Sequence, residues 1–246
     1  MEHTRAKRLC LFDLDGTLTC SHPGILLCVQ RALTEMGKPL PAPENLRKFI
    51  GPPLSESFTG LVGLSEEECK EAVRRYRLHY EAEGALKNQP YDGIPQLLKA
   101  LRARGDTLGV ATSKPARFTE KILRHFGLWE LFDTVSCAQE DLHPMTKKEL
   151  IEQAMKHTGF SAEETIMVGD TRFDAAGARQ AKTAFIGVLY GYGTREEMEK
   201  EGAGIFACTV EELTQKLLNE EKRFLQVSAA KTAESVCRTR ENPEKT

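Results

Sequence analysis

Two carboxylates stand two residues apart in Asp13-Leu14-Asp15-Gly16-Thr17, directly after the short apolar run Arg8-Leu9-Cys10-Leu11-Phe12. A chain that curls at Gly16 can turn both toward one pocket, where one serves as nucleophile and the other shuttles a proton. Spacing excludes a calcium loop beginning at Asp13. Such a loop needs Gly at its sixth place and Glu at its twelfth, and Leu18 and Gly24 stand there.

Three further stretches carry matching chemistry. Thr112-Ser113-Lys114 offers hydroxyls just before a helix start expected at Pro115, a place that favours an anion. Gly169-Asp170-Thr171-Arg172-Phe173-Asp174 brings two more carboxylates four apart. Met145-Thr146-Lys147-Lys148-Glu149 opens a helix with two lysines against the helix dipole, so their charge is expected to be needed elsewhere. Taken singly, each piece also reads as a turn, a strand end or a solvated charge. Taken together, excess carboxylate with oxygen-only donors calls for Mg2+ rather than zinc, and hydroxyl, helix start and lysine call for a phosphate. The sum is phosphoryl transfer.

The elements that must position these residues follow from the apolar pattern. Short apolar runs bounded by turn residues recur at 107–112, 165–170 and 184–189, and more weakly at 132–136 and 204–208. Such runs predict strands buried on both faces. Helical patterns lie between them at 92–104, 115–126 and 145–157, and Ser161-x-x-Glu164 predicts a capping box before the next strand. The alternation predicts an α/β class, a doubly wound parallel sheet of Rossmann-like form. Residues 21–88 break it with a helix after Pro23, a Pro-rich link, Gly51-Pro52-Pro53, and a helix capped by Ser65-x-x-Glu68 with Cys69, Val73, Tyr76 and Tyr80 on one face. The expected organisation is a core of 1–20 and 89–225 with an all-helical lid of 21–88 inserted after the first strand. Residues 226–246 are too poor in large apolar groups to order and are expected to be a disordered tail.

Composition narrows the partners. The 246 residues carry 34 Lys+Arg and 36 Asp+Glu, a net charge of −2, which gives no electrostatic reason to expect nucleic acid or an anionic membrane. No apolar run approaches the ~18 residues of a membrane span, and no signal-like segment stands at the N-terminus. The seven cysteines include no C-x-x-C pair, so a disulfide framework or structural zinc is not expected. Free thiols in a reducing cytoplasm are. The expected state is monomer or homodimer.

The four stretches, in this order, resemble the haloacid-dehalogenase-like superfamily of phosphohydrolases, over roughly residues 7–218 and with the helical insert in the position of that family's cap. Asp13-Leu14-Asp15-Gly16-Thr17-Leu18 is similar to its first motif, Thr112 to its second, Lys147 to its third, and Gly169-Asp170 with Asp174 to its fourth. The resemblance implies that Asp13 attacks phosphorus and becomes an aspartyl phosphate. It implies that Asp15 protonates the leaving oxygen and then helps activate water. Mg2+ would be held by Asp13, the Asp15 main-chain carbonyl and Asp170, with Asp174 supporting its water shell. Thr112, Ser113 and Lys147 would hold the phosphoryl oxygens. The presence of Asp15 argues against a dehalogenase. Cys20, where relatives usually carry Asp, falls in the hinge of the cap.

Gly51-Pro52-Pro53-Leu54, the Ala111 to Pro115 stretch and Tyr91-Asp92-Gly93-Ile94 most resemble the phosphoglycolate-phosphatase and 5′-nucleotidase-like branch. That implies a small phosphate monoester as substrate. Arg47, Lys48 and Gly51 are the expected cap specificity residues. They and Lys114 read equally as solvated surface. A phosphomutase is the alternative reading, followed by a non-enzymatic binding relative.

Overall fold

The first apolar run forms β1 (Leu9–Phe12), whose four side chains are all buried because both faces of its sheet are covered. The structure, a computed structural model, describes residues 7–50, 54–138 and 145–219. Five more strands follow: β2 (Thr107–Pro115), β3 (Thr134–Ala138), β4 (Thr165–Gly169), β5 (Ala184–Val188) and β6 (Phe206–Ala207). They lie in the order β3-β2-β1-β4-β5-β6 with every pair parallel. The order reverses beside β1, which pairs with β2 on one side and β4 on the other. A crevice opens outside the carboxyl ends of strands at such a reversal.

Between β1 and β2 the chain is helical: α1 (His22–Glu35), α2 (Pro43–Leu46), α3 (Leu54–Ser57, continued by a wider turn over Phe58–Val62) and α4 (Glu66–Ala82). The predicted Ser65–Glu68 capping box starts α4. The strand-linking helices are α5 (Ile94–Arg104), α6 (Ala116–His125), α7 (Lys147–Thr158), α8 (Arg172–Ala181), α9 (Arg195–Lys200) and α10 (Val210–Asn219). Capping boxes at Thr146/Glu149 and Thr171/Asp174 start α7 and α8.

The two-residue period of β1 sorts the core. Leu9 and Leu11 face Leu150, Ile151 and Ala154 of α7 and Ala178 and Ala181 of α8. Cys10 and Phe12 face the other way, into a cluster with Leu97 and Leu101 of α5, Ile122 of α6 and Leu213 of α10. That second cluster continues without a break into Cys28, Val29 and Leu33 of α1 and Tyr76 and Tyr80 of α4. The helical segment is therefore seated on the sheet side carrying α5 and α6. Its two connections run together, since the Cys20 N–H donates to Gln89 O (2.7 Å) and the Tyr91 N–H to Leu18 O (3.1 Å).

Several boundaries differ from the sequence expectation. The helix expected from Pro115 begins at Ala116, because β2 shifts register against β3 between Thr112 and Pro115 and Pro115 keeps extended angles (φ −57°, ψ 144°). Ser113 and Lys114 thus lie in the strand. The run at 132–136 becomes β3 two residues later, after a 3-10 turn at Trp129–Leu131. The run at 204–208 contributes only two strand residues. Residues 226–246 lie outside the described residues. Among the described residues no helix is long and apolar enough to cross a membrane, and Cys10, Cys20, Cys28, Cys69, Cys137 and Cys208 are free thiols.

Candidate active site

Asp13 follows the last residue of β1, and its N–H donates to Val168 O of β4 (2.9 Å), which places it at the reversal point of the sheet. Register does the same for the neighbouring strands. Phe12 lies beside Val110 and Val168, so Thr112 and Asp170 each come two residues later at the same edge. The turn after Asp13 works only with glycine. Gly16 has φ +89°, and a Cβ there would sit 2.2 Å from Asp170 Oδ2.

Lys147, the first residue of α7, does not follow the helix axis into solvent. Its Nζ lies 2.8 Å from Asp13 Oδ1, 2.8 Å from Asp174 Oδ1 and 3.0 Å from Ala111 O. Its neighbour Lys148 is outside the site and pairs with Glu152 (3.4 Å) one turn along α7. The helix-start lysines thus divide into one site cation and one ordinary surface pair. Gly177 of α8 makes the room, because a Cβ there would lie 2.7 Å from Lys147 Cβ and Cγ.

Asp170 is fully buried, and both its oxygens are held. Thr17 Oγ1 donates to Oδ1 (2.9 Å), and the Tyr192 backbone N–H donates to Oδ2 (2.8 Å). Asp174 is fully buried too, and its Oδ2 accepts from the Thr171 N–H (3.0 Å) and Oγ1 (2.6 Å). One oxygen each from Asp13, Asp170 and Asp174 lies within 4.8 Å of the others.

Three buried carboxylates facing one ammonium do not balance. Burial first, then Asp174 and Asp15 against the pull of Lys147, pushes the Asp13 carboxyl up to about 6. Burial followed by Asp174 and Asp13 raises Asp170 well above the usual carboxylate range. Burial disfavours the Lys147 charge, yet Asp13 and Asp174 together outweigh it and keep the ammonium protonated. An all-oxygen, carboxylate-rich set with this charge excess fits a hard divalent cation such as Mg2+.

The remaining expected residues are placed as follows. Thr112 is buried, and its Oγ1 accepts from the Lys114 N–H (3.2 Å). Ser113 is exposed on β2. Asp15 is one-fifth exposed and pairs through Oδ2 with Lys114 Nζ (2.7 Å), while its Oδ1 is buried without a protein partner. Lys48 is exposed and donates to Asn45 Oδ1 (2.9 Å). Gly51, with Pro52 and Pro53, lies outside the described residues, as does the side chain of Arg47. Cys20 sits in the first connection, its Sγ 3.2 Å from His22 Nδ1.

Three participants had no assigned role in the motif reading. Tyr190 and Tyr192 follow β5, a fifth strand ending at the same edge. Tyr190 OH donates to Thr17 O (3.1 Å), and the Tyr192 hydroxyl accepts the N–H groups of Ser21 (2.8 Å) and His22 (3.0 Å). The alternation Tyr190-Gly191-Tyr192-Gly193 directly after an apolar run was the available signal. The third is Lys114, which is nearly buried and aimed at Asp15 rather than solvated.

Fold and site define a class, and the match to known sequences agrees. Residues 10–188 fit the family described as haloacid dehalogenase-like hydrolase, and the chain belongs to that family. Among its relatives is a 5′-nucleotidase of Pseudomonas aeruginosa, 43% identical over 188 residues, covering 76% of this chain and 85% of that protein. The tyrosine-protein kinase PtkA of Mycobacterium tuberculosis is 35% identical over 212 residues, covering 85% of this chain and 72% of that one. The crystal structure of a predicted phosphatase from Clostridium acetobutylicum is similar at TM-score 0.81 and 39% identity, over 86% of this chain and 98% of that one.

Proposed function

We propose that the chain is a Mg2+-dependent phosphatase that hydrolyses a small phosphate monoester through an aspartyl phosphate on Asp13. The observation that carries this reading is Lys147 Nζ, 2.8 Å from both Asp13 and Asp174, at the edge of the sheet where Asp170 also lies. The 5′-nucleotidase relative supports the substrate class, a small monoester such as a nucleoside monophosphate or phosphoglycolate.

Asp13 attacks phosphorus, and the bond from phosphorus to the ester oxygen breaks. The leaving oxygen takes a proton from Asp15 and departs as an alcohol. Water then attacks the phosphorus on Asp13, gives a proton to Asp15, and the phosphorus–Asp13 bond breaks to release inorganic phosphate. Asp13, Asp170 and the Asp15 main-chain carbonyl would hold Mg2+, with Asp174 behind them, and the ion supplies charge neutralisation on the phosphoryl oxygens. Lys147 holds Asp13 in place and lessens the repulsion between it and an incoming phosphate. Thr112 and Ser113, at the end of β2, take phosphoryl oxygens.

Residues 21–88 act as a cap on a core of 1–20 and 89–225, hinged where 18–21 runs beside 88–91, and Arg47, Lys48 and Gly51 supply its selectivity. The free thiols support a reducing, cytoplasmic setting. The experiment is a panel of phosphate monoesters assayed for inorganic phosphate with Mg2+ and with a chelator. Mg2+-stimulated release from at least one of phosphoglycolate, a nucleoside 5′-monophosphate or an aryl phosphate is expected. Release from none of them overturns the reading, and transfer of the phosphoryl group to a sugar without free phosphate makes the chain a mutase instead.

A further inference from the structure

The nearly buried cation at the end of β2 has two partners on two different parts of the chain. Lys114 Nζ lies 2.7 Å from Asp15 Oδ2 and donates to the Tyr80 hydroxyl (2.7 Å), and it stands 4.6 Å from the centre of the Tyr80 ring. Only 7% of its side chain is exposed. Tyr80 belongs to the last turn of α4, in the helical segment, and is itself 2% exposed. It is fixed by stacking on Tyr76 (5.4 Å) and by an edge contact with Phe118 of α6 (5.0 Å). Beside it Glu81 ties the same end of α4 to α6, accepting from Arg117 on its side chain (3.0 Å) and from Lys121 on its carbonyl (2.6 Å).

We infer that Lys114 is a positioning residue that fixes which oxygen of Asp15 exchanges the proton, and that Tyr80 makes this position depend on the seating of α4. The inference rests on the assignment of Asp15 as the proton-transfer group.

The geometry supplies the reason. A carboxyl group has two equivalent oxygens and rotates freely unless one is held. Lys114 stays on Oδ2 in both protonation states, because an ammonium donates strongly to a carboxylate and, more weakly, to the carbonyl oxygen of a carboxylic acid. The proton is thereby confined to Oδ1, the oxygen that is buried and without a protein partner. An ammonium with three donors and a flexible stem cannot hold this direction alone. Tyr80 completes it, since its hydroxyl accepts from a second donor while the cation lies over the face of its ring. Because Tyr80 comes from α4 and Asp15 from the turn after β1, the donor is aligned only when α4 rests on β2 and α6.

The test compares two substrates of equal charge and nearly equal size, phenyl phosphate and p-nitrophenyl phosphate. Phenoxide needs a proton to leave well, and p-nitrophenoxide leaves unaided. The ratio of their kcat/KM values in Mg2+ therefore reports alignment of the donor and not phosphate binding or fold. General acid catalysis contributes about 10²–10⁴-fold, so Asp15→Asn should lower the phenyl to p-nitrophenyl ratio by about 10²-fold. Lys114→Met should lower it about 10-fold, as part of the same catalytic contribution, and Lys114→Arg should restore part of the loss. Tyr80→Phe keeps the ring contacts, removes only the hydroxyl, and should shift the ratio the same way by a smaller factor. This variant keeps the inference testable should Lys114→Met fail to fold. An unchanged ratio in Lys114→Met, or in Tyr80→Phe if Lys114→Met does not fold, overturns the inference even when both substrates turn over more slowly. Wild-type protein that releases phosphate from neither ester, nor from phosphoglycolate or a nucleoside 5′-monophosphate, overturns the phosphatase reading itself, and an unchanged ratio in Asp15→Asn overturns the role of Asp15 on which the inference stands.

Discussion

Tyr192 holds Asp170 with its backbone and the helical segment with its side chain. Its N–H donates to Asp170 Oδ2 at 2.8 Å, and its hydroxyl oxygen receives the N–H groups of Ser21 and His22. Ser21, the N-cap of α1, makes no capping hydrogen bond with its own side chain. The Tyr192 hydroxyl does that work from far along the chain. One residue thus joins a carboxylate of the proposed metal site to the first turn of the proposed cap.

Removing only that oxygen should loosen α1 and spare Asp170, whose contact is to main chain. Tyr192→Phe leaves two helix-start N–H groups without their acceptor, at a cost typical of a lost N-cap, about 0.5–2 kcal/mol. A lowered melting temperature, with faster amide exchange at Ser21 and His22, is the expected result. Exchange at wild-type rates there would show that the hydroxyl caps nothing.

Lys147 is the sole ammonium placed against Asp13 and Asp174 among the described residues. Lys147→Met leaves buried carboxylates without their counter-charge, and breaking one side of such a buried pair typically costs about 3–5 kcal/mol. Denaturant unfolding at mildly alkaline pH without divalent ions should show a loss of that order, partly recovered when Mg2+ is added. A loss below about 1 kcal/mol, the scale of an exposed ion pair, would mean the charge is not buried as described.

The pH dependence of the Mg2+ effect follows from the same carboxylates. In the metal-free protein burial raises Asp13 from its ordinary value to about 6, and Asp170 is raised as well. A raised carboxyl binds protons in the folded state that the unfolded chain has released. Its contribution to stability is complete below the unfolded value near 4 and is lost as pH rises through about 6. Bound Mg2+ favours the ionised form and offsets that loss. The rise in melting temperature on adding Mg2+ should therefore be small near pH 4 and grow as pH rises through about 6. A Mg2+ effect that is flat across this range contradicts a buried carboxylate site.

Much of this was legible in the chain, because a parallel sheet covered on both faces leaves short continuous apolar runs. The ends of those runs marked the edge where Asp13, Thr112 and Asp170 meet. The lysine of the site was legible through its conflict with the α7 dipole, and the family resemblance picked Lys147, which the structure places against Asp174 while Lys148 pairs with Glu152. The helix start at Pro115 was misplaced because proline suits both a first helical turn and a strand end, and the register shift on β3 decides between them. Lys114 read equally as surface or pocket, since its partner Tyr80 lies 34 residues away on a different element. The Tyr190 to Gly193 alternation marked the position of Tyr192 but not its role, because what it holds at Ser21 is 171 residues distant in the chain.

The central claim is that Asp13 is the phosphoryl acceptor, and acid-quenched protein mixed with p-nitrophenyl phosphate and Mg2+ tests it most directly. Peptide mapping should find a phosphoryl group on the Asp13 peptide of the wild type. Asp13→Asn should carry none and should have lost phosphate release while keeping the fold. Undiminished Mg2+-dependent release by the Asp13→Asn protein would contradict the account.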